Sequence, residues 1–284
     1  MKMNKQLLDR QIEMWLQEDI GFGDVTSLAT VPEDLDGVGI LYAKQDGVIA
    51  GLDVAQRVFT CLDASLVFSP KVMEGAFVEK GTMIAQVEGS VQSVLGGERL
   101  ALNLLQRMSG IATLTRQYVE KARMASEKVR IVDTRKTTPG LRMLEKYAVT
   151  VGGGHNHRLG LFDAVMIKDN HIKAAGGIGA AVSFARQAIP HTMRVEVEVE
   201  TLVQLEEAIG ANPDIIMLDN MDLDTMREAV RRVDGRMIVE ASGGVNLDTV
   251  QGIAATGVDI ISVGSLTHSV SALDISLDLN ERKR

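Results

Sequence analysis

The sequence has little of what marks an exported, membrane-bound or nucleic-acid-binding protein. Its single cysteine, Cys61, excludes an internal disulfide and favours a reducing compartment. No run of about 18 apolar residues occurs, so no membrane-spanning helix is predicted. The net charge is −8, and an acidic chain is a poor general binder of nucleic acid. We therefore expect a cytoplasmic protein that binds neither membranes nor nucleic acids.

The first 105 residues combine one helix with several short strands. Apolar residues recur at helical spacing over residues 5–20, which predicts an amphipathic helix. Residues 38–49 predict two short strands about a turn, and residues 71–87 predict a hairpin. From residue 100 to about 124 the periodicity is helical, with a predicted break at Ser109 and Gly110. This mixture of helix and short strands predicts an α+β domain.

After residue 128 short β-branched runs alternate with helical stretches. The predicted strands are residues 129–133, 164–168, 194–199, 215–219, 237–241 and 259–263, with helices that include 201–209, 222–233 and 247–256. This alternation predicts parallel strands joined by crossover helices. It fits either an open doubly wound sheet or a closed barrel.

Polar residues favour the barrel. Glu196 and Glu198 share one face of a strand with Arg194, whereas valines occupy the other face. A polar barrel lumen accommodates that face, and the alternative is an edge strand with one face in water. Polar side chains also follow all six predicted strands, where (β/α) barrels place their active sites. We therefore predict a barrel of six units rather than the usual eight.

Basic residues cluster at predicted strand ends despite the acidic net charge. Arg135 and Lys136 follow the first strand, and Lys168 follows the second. A glycine run at 152–154 leads into His157 and Arg158, which favours anion binding, with a structural loop or metal ligation by the histidines as alternatives. A solvated basic turn is the alternative for the first pair. Together these cations predict a site for a polyanionic substrate.

Two carboxylates and two glycine-containing loops complete the candidate site. Glu198 and Asp219 each end a strand, and such a pair suits Mg²⁺. The alternative for Asp219 is a helix cap, for which Asp222 competes. The loops after the last two strands predict a phosphate cradle, and their residues are Ser242, Gly243, Gly244, Gly264, Ser265 and the nearby His268.

Several strings along almost the whole chain resemble the quinolinate phosphoribosyltransferase family. They occur in one order, from Glu18-Asp19 to Leu273-Asp274-Ile275. The most specific are Gly97-Glu98-Arg99, residues 133–142, residues 152–161, Ile167-Lys168-Asp169-Asn170-His171, Glu196-Val197-Glu198, Leu218-Asp219-Asn220 and Thr267-His268-Ser269.

The resemblance implies a type II phosphoribosyltransferase fold, with an N-terminal α/β sandwich (1–105, joined by 270–284) and an open α/β barrel (106–269). It implies Mg²⁺-dependent phosphoribosyl transfer from phosphoribosyl pyrophosphate to quinolinate, with decarboxylation, in de novo NAD biosynthesis. It implies a homodimer in which Arg99 reaches the partner's site. The implied quinolinate set is Arg135, His157, Arg158 and Lys168. The implied phosphoribosyl pyrophosphate set is Lys136, Glu198, Asp219, Ser242, Gly243, Gly264 and His268. Thr134, Gly244 and Ser265 are predicted as further substrate-binding residues.

Two alternatives remain open at this point. One is a pyrophosphorylase of the same fold, of the kind associated with molybdate-transport genes, acting on another anion. The other is a non-catalytic barrel that binds an anionic metabolite, which the presence of both Glu198 and Asp219 disfavours. Within the implied enzyme, Lys136, Lys168, Glu198 and Asp219 are the predicted catalytic residues.

Overall fold

A computed structural model describes residues 3–281, which divide into two compact units. Unit 1 comprises the described residues up to Leu114, Met143–Gly152 and those from Val270 onward; unit 2 comprises Thr115–Arg142 and Gly153–Ser269. The expected boundary was residue 105. The helix that spans it is continuous, and a second helix inside the expected barrel range groups with unit 1.

The elements alternate regularly only in the second half of the chain. In chain order they are α1 (Lys5–Ile20), α2 (Val25–Thr30), β1 (Asp36–Ala43), β2 (Gly47–Val48), α3 (Leu52–Leu62), β3 (Val67–Pro70), β4 (Phe77–Val78), β5 (Met83–Ser90), α4 (Val91–Arg123), β6 (Arg130–Val132), α5 (Arg142–Val151), β7 (Val165–Ile167), α6 (Asp169–Ala175), α7 (Ile178–Ala188), β8 (Val195–Val199), α8 (Leu202–Ala211), β9 (Ile215–Asp219), α9 (Leu223–Val233), β10 (Ile238–Ser242), α10 (Val250–Ala254), β11 (Ile260–Ser262), α11 (Ser265–His268) and β12 (Ile275–Glu281).

Unit 1 contains an antiparallel sheet in the order β12-β1-β5-β3 and a small β2-β4 pair. The first helix forms as predicted, because Asn4 caps it and Leu8, Ile12 and Leu16 bury one stripe. The strand β12 comes from the segment expected to return to this domain, and it pairs with β1. Residues 282–284 of that segment lie outside the described residues.

Two local predictions in unit 1 are wrong. The segments 38–49 and 71–87 form strands but not hairpins, since β1 pairs with β5 and β2 pairs with β4. The helix α4 is unbroken at Ser109 and Gly110. Gly110 is a point of close approach, because a Cβ there would overlap the carbonyl oxygen of Ser271. The buried Ser109 hydroxyl accepts from the Ala50 amide at 3.0 Å.

Unit 2 is an open parallel barrel. Its six strands run in the order β6-β11-β10-β9-β8-β7, so the first strand returns beside the last. No ladder joins β6 to β7 among the described residues; a single parallel bridge, Val132 to His155, lies at that opening. Because β8 pairs with both β7 and β9, the edge-strand alternative is wrong. On the predicted charged face, Glu196 is buried and Glu198 is half-buried, whereas Arg194 lies before β8 and is exposed.

Candidate active site

The carboxyl ends of the unit 2 strands surround a cavity of about 790 Å³. All predicted substrate-binding residues except one line it, and these are Thr134, Arg135, Lys136, His157, Arg158, Lys168, Glu198, Asp219, Ser242, Gly243, Gly244, Gly264, Ser265 and His268. The exception, Arg99, is exposed on α4 in unit 1. The structure thus brings together residues that the sequence spreads over six strands.

Two arginines, Arg135 and Arg158, form a positively charged wall of this cavity. The Nε of Arg135 is buried and donates no hydrogen bond to any described residue. Burial, and next the charge of Arg135, lower the pKa of Arg158. The Arg158 Nη1 donates to the carbonyl of Ala164 at 3.2 Å. A buried guanidinium N–H without an acceptor costs free energy unless an anion pairs with it, so this wall is suited to a carboxylate or phosphate. The solvated basic turn does not describe Arg135.

A lysine and a glutamate link the cationic wall to the carboxylate side. Lys168 precedes α6 at its N-cap position, and its amide donates to Nδ1 of His171 at 3.0 Å. Its Nζ pairs with Oε2 of Glu198. Asp169 is the first residue of α6 and pairs with Lys173.

The second carboxylate stands on the neighbouring strand. Asp219 ends β9, which pairs with β8, and its Oδ2 accepts from the Asn220 side chain at 2.8 Å. It does not cap the next helix; Asp222 does, through the amide of Thr225 at 2.8 Å. Two carboxylates on adjacent strands, both facing a polar cavity, are oxygen donors of the kind that Mg²⁺ takes together with substrate oxygens.

The glycine loops close the opposite side of the cavity. Gly243 has φ +89°, and a Cβ there would overlap the Asn220 side chain. A Cβ on Gly264 would meet the Lys136 chain at 3.1 Å and His268 at 3.2 Å. The hydroxyl of Thr267 donates to the carbonyl of Lys136 at 2.7 Å. Small residues here therefore leave room beside Lys136.

A buried cluster beside the cavity combines His157 and Glu196, which sequence analysis had named, with Glu240, which it had not. Nε2 of His157 lies 3.2 Å from Oε2 of Glu196 and 3.5 Å from Oε1 of Glu240. Both glutamates are at most 3% exposed. Burial first, and then the charge of Glu196, raise the pKa of Glu240 to about 7. The available signal was alternation, since Glu240 stands between the apolar Val239 and Ala241 of a lumen-lining strand.

Comparison with known proteins gives this geometry a family. Residues 24–109 match the N-terminal domain of quinolinate phosphoribosyl transferase, and residues 111–278 match its C-terminal domain. The chain belongs to the quinolinate phosphoribosyltransferase family. The fold and the order of motifs expected from the resemblance are therefore confirmed.

Individual relatives agree over almost their full length. The chain is 47% identical over 277 residues, covering 98% of this chain and 95% of the relative, to a probable nicotinate-nucleotide pyrophosphorylase [carboxylating] of Bacillus subtilis. It is 44% identical over 288 residues to a mitochondrial quinolinate phosphoribosyltransferase [decarboxylating] of Nicotiana tabacum, covering 95% and 81%. The crystal structure of NadC from Streptococcus pyogenes superposes with a TM-score of 0.95 at 42% identity, covering all of both chains.

The helices also settle one prediction about membranes. Within the described part of the chain, none of them combines the length and the hydropathy needed to span a bilayer.

Proposed function

We propose that the chain transfers the phosphoribosyl group of phosphoribosyl pyrophosphate to quinolinate and decarboxylates the product to nicotinate mononucleotide, releasing pyrophosphate and CO₂. The observation that carries this proposal is one cavity lined both by a set of cationic side chains and by the carboxylates of Glu198 and Asp219, in a chain of this family. Relatives named for this chemistry in Bacillus and Nicotiana support it. We place the enzyme in the cytoplasm, on the ground of its single cysteine.

The cationic wall binds quinolinate. Its two carboxylates pair with Arg135, Arg158 and Lys168, each charge-assisted hydrogen bond contributing about 1.5–3 kcal/mol. The spare Nε of Arg135 is a donor that a carboxylate satisfies. His157 stands beside this set. The enzyme is a homodimer, and Arg99 of the partner subunit adds a further cation.

The other side of the cavity binds phosphoribosyl pyrophosphate. Glu198 and Asp219 would hold Mg²⁺, which would supply positive charge to the pyrophosphate oxygens. Lys136 adds a positive charge to the leaving group, at the place where Gly264 leaves room for it. The remaining contacts to phosphate and ribose come from Thr134, Ser242, Gly243, Gly244, Ser265 and His268, all of which line the cavity.

The reaction needs orientation and charge rather than a protein nucleophile. The quinolinate nitrogen attacks C1 of the ribose as pyrophosphate leaves, so the protein must hold the nitrogen in line with that bond. The ring nitrogen then carries a positive charge. That charge stabilises the electron pair left on the adjacent ring carbon when its carboxylate departs as CO₂, and a proton replaces the carboxylate.

An assay of the purified chain with quinolinate, phosphoribosyl pyrophosphate and Mg²⁺ tests the reaction. We expect nicotinate mononucleotide to form, and the rate to fall about 100-fold or more in Lys136→Ala. Lys128→Ala is the matched control, since Lys128 is exposed and precedes β6 at the other end of the barrel. A folded chain that does not turn over quinolinate contradicts the proposal and favours a pyrophosphorylase with another substrate.

Subunit mixing tests the shared site. Arg99→Ala and Lys136→Ala are each expected to be nearly inactive alone. Random exchange of equal amounts makes half of the dimers heterodimers. If Arg99 acts in the partner's site, each heterodimer has one intact site. The mixture then recovers about one quarter of the wild-type activity. No recovery after verified subunit exchange means that each site is complete within one chain.

A further inference from the structure

The buried cluster of His157, Glu196 and Glu240 has a role that charge alone does not explain. A floor of two carboxylates is a poor choice beneath a pocket for a dianion, because like charges repel. Both glutamates keep one oxygen, Oε1, that accepts no hydrogen bond from the described residues. Side chains held at this cost in a binding site point to a specific task.

The histidine's hydrogen bonds define that task. The amide of Arg158 donates to Nδ1 of His157 at 2.7 Å, so Nδ1 is an acceptor and carries no proton. Nε2 lies 3.2 Å from Oε2 of Glu196 and, less closely, 3.5 Å from Oε1 of Glu240, and a nitrogen beside carboxylate acceptors is placed to donate. These contacts match the neutral Nε2–H tautomer, in which both ring nitrogens have partners within the protein.

The main chain around the ring is fixed independently. The fully buried Asp133 accepts from the His157 amide at 2.9 Å and from the Asn156 side chain at 2.6 Å. Because these bonds hold the His157 main chain, the orientation of its ring determines where the Arg158 amide can donate. The Arg158 guanidinium is part of the cationic wall, so the cluster connects to substrate binding through a single residue.

We infer that Glu196 and Glu240 are positioning residues that act through His157: they hold its ring as the Nε2–H tautomer, so that Nδ1 receives the Arg158 amide and Arg158 is set for the quinolinate carboxylate. The inference rests on the proposed function for its substrate, but not for its tautomer. It assigns His157 an indirect role, since neither ring nitrogen is left to bind quinolinate.

A metal ion is the other occupant that this donor set could take, because one atom of each side chain lies within 4.8 Å of the others. Two observations disfavour it. Nδ1 already accepts a hydrogen bond from the Arg158 amide. The positive charges of Arg158 and Lys168 also act on the two glutamates, and they oppose the binding of a metal cation there. A proton on Nε2 satisfies the carboxylates without adding a charge.

Nitrogen NMR of the ligand-free chain with ¹⁵N-labelled histidine is the first test, and it does not depend on activity. The His157 signal is identified by its loss in His157→Asn. We expect a bare Nδ1 and a protonated Nε2 in the wild type, and a mixture of tautomers in the Glu196→Met/Glu240→Met variant. A proton on Nδ1 in the wild type, or a metal-like shift on adding Zn²⁺, would overturn the inference.

Kinetics of the same variants test the route through His157. Methionine removes the acceptor while it keeps the volume and avoids a stranded charge. We expect Glu196→Met/Glu240→Met to raise the KM for quinolinate about tenfold, which is about 1.4 kcal/mol, with the KM for phosphoribosyl pyrophosphate unchanged. Glutamine still offers an acceptor oxygen, so Glu196→Gln is expected to recover much of the loss, and the exposed Glu127→Gln is the matched control.

A double-mutant cycle completes the test. In a His157→Asn background the methionine substitutions are expected to have no further effect on the quinolinate KM, because the residue through which they act is gone. Additive effects, or a glutamine variant as impaired as the methionine variant, would overturn the inference. If the wild-type chain does not use quinolinate at all, the proposed function fails while the tautomer measurement still stands.

Discussion

The glutamates of the two compact units differ in how their carboxylates are satisfied. In unit 1, Glu74 accepts two backbone amides at the start of α3, at 2.7 and 3.1 Å, and Glu145 pairs with Arg107 at 2.5 Å. In unit 2, Glu196 and Glu240 each keep an oxygen that accepts no hydrogen bond from the described residues. Buried polar atoms are nearly always paired, so unit 1 uses its carboxylates for stability and unit 2 reserves its own for function.

The comparison implies that one chemical change, glutamate to glutamine, has opposite consequences in the two units. In unit 1 it removes acceptors that hold backbone in place, so it lowers stability and leaves the chemistry intact. In unit 2 it changes a site that the fold does not need, so it lowers activity and can even raise stability. Four predictions test this division, from the largest effect to the smallest.

Glu198→Gln is expected to have the largest effect. It removes a charge that faces the proposed Mg²⁺ and pairs with Lys168, so we expect kcat/KM to fall about 100-fold or more while the melting temperature changes little. Steady-state kinetics and thermal melting measure the two quantities. A large loss of stability with normal kinetics would place Glu198 with the structural glutamates.

Glu240→Gln is expected to stabilise the chain at alkaline pH. The raised pKa of Glu240, about 7 against 4.5, means that the folded state holds this proton more tightly than the unfolded state. Wild-type stability is therefore lost as the pH rises from about 4.5 to 7, by up to about 3 kcal/mol.

Glutamine does not ionise, so the stability of the variant relative to the wild type should rise between pH 5 and pH 8. Melting temperatures of both proteins across that range measure the difference. A difference in melting temperature that is the same at every pH contradicts the raised pKa. A difference that rises with pH but starts from a non-zero value supports it, and the starting value reflects the changed hydrogen bond to Ser262.

Glu74→Gln is expected to destabilise unit 1 without affecting catalysis. An amide can accept from only one of the two backbone N–H groups at the start of α3 and turns an NH₂ towards the other, which costs about 1–3 kcal/mol. Denaturant unfolding measures the loss, and kcat/KM per folded molecule should stay at the wild-type value. A kinetic defect in fully folded protein would erase the distinction between the units.

Asp222→Ala is expected to have the smallest effect. It removes the cap of α9, at a cost of about 1 kcal/mol, and leaves turnover unchanged. Asp219→Ala, three positions earlier, should do the reverse. Melting curves and activity assays of both variants test whether Asp222 has the capping role and Asp219 the catalytic one.

Local sequence patterns predicted the elements of unit 2 better than those of unit 1. The predicted strand 215–219 is the observed β9, and 194–199 differs from β8 by one residue. Hydrophobic alternation sets these elements, and it acts over a few residues. The hairpins failed because strand pairing in unit 1 is not between neighbours: β1 lies between β5 and the last strand of the described chain.

The sequence predicted most residues of the candidate site but missed one that has no local motif. Motifs placed Arg135 and Lys168 at strand ends and Arg158 in the loop after a glycine run, and the fold brings all three to one cavity. The roles of these residues remain predictions for the assays above. Glu240 was missed because a single glutamate within an apolar strand has no motif, and its importance depends on what lies across the lumen.

The sequence by itself determined the alternation of strands and helices, the family and the residue types that reach the barrel mouth, because each depends on neighbours along the chain. Only the tertiary structure decided that β8 is interior and that Glu196 and Glu240 converge on His157. Those facts depend on which strands lie side by side, and parallel pairing joins segments far apart in sequence. The protonation of the cluster follows from that convergence, since burial and charge act through space.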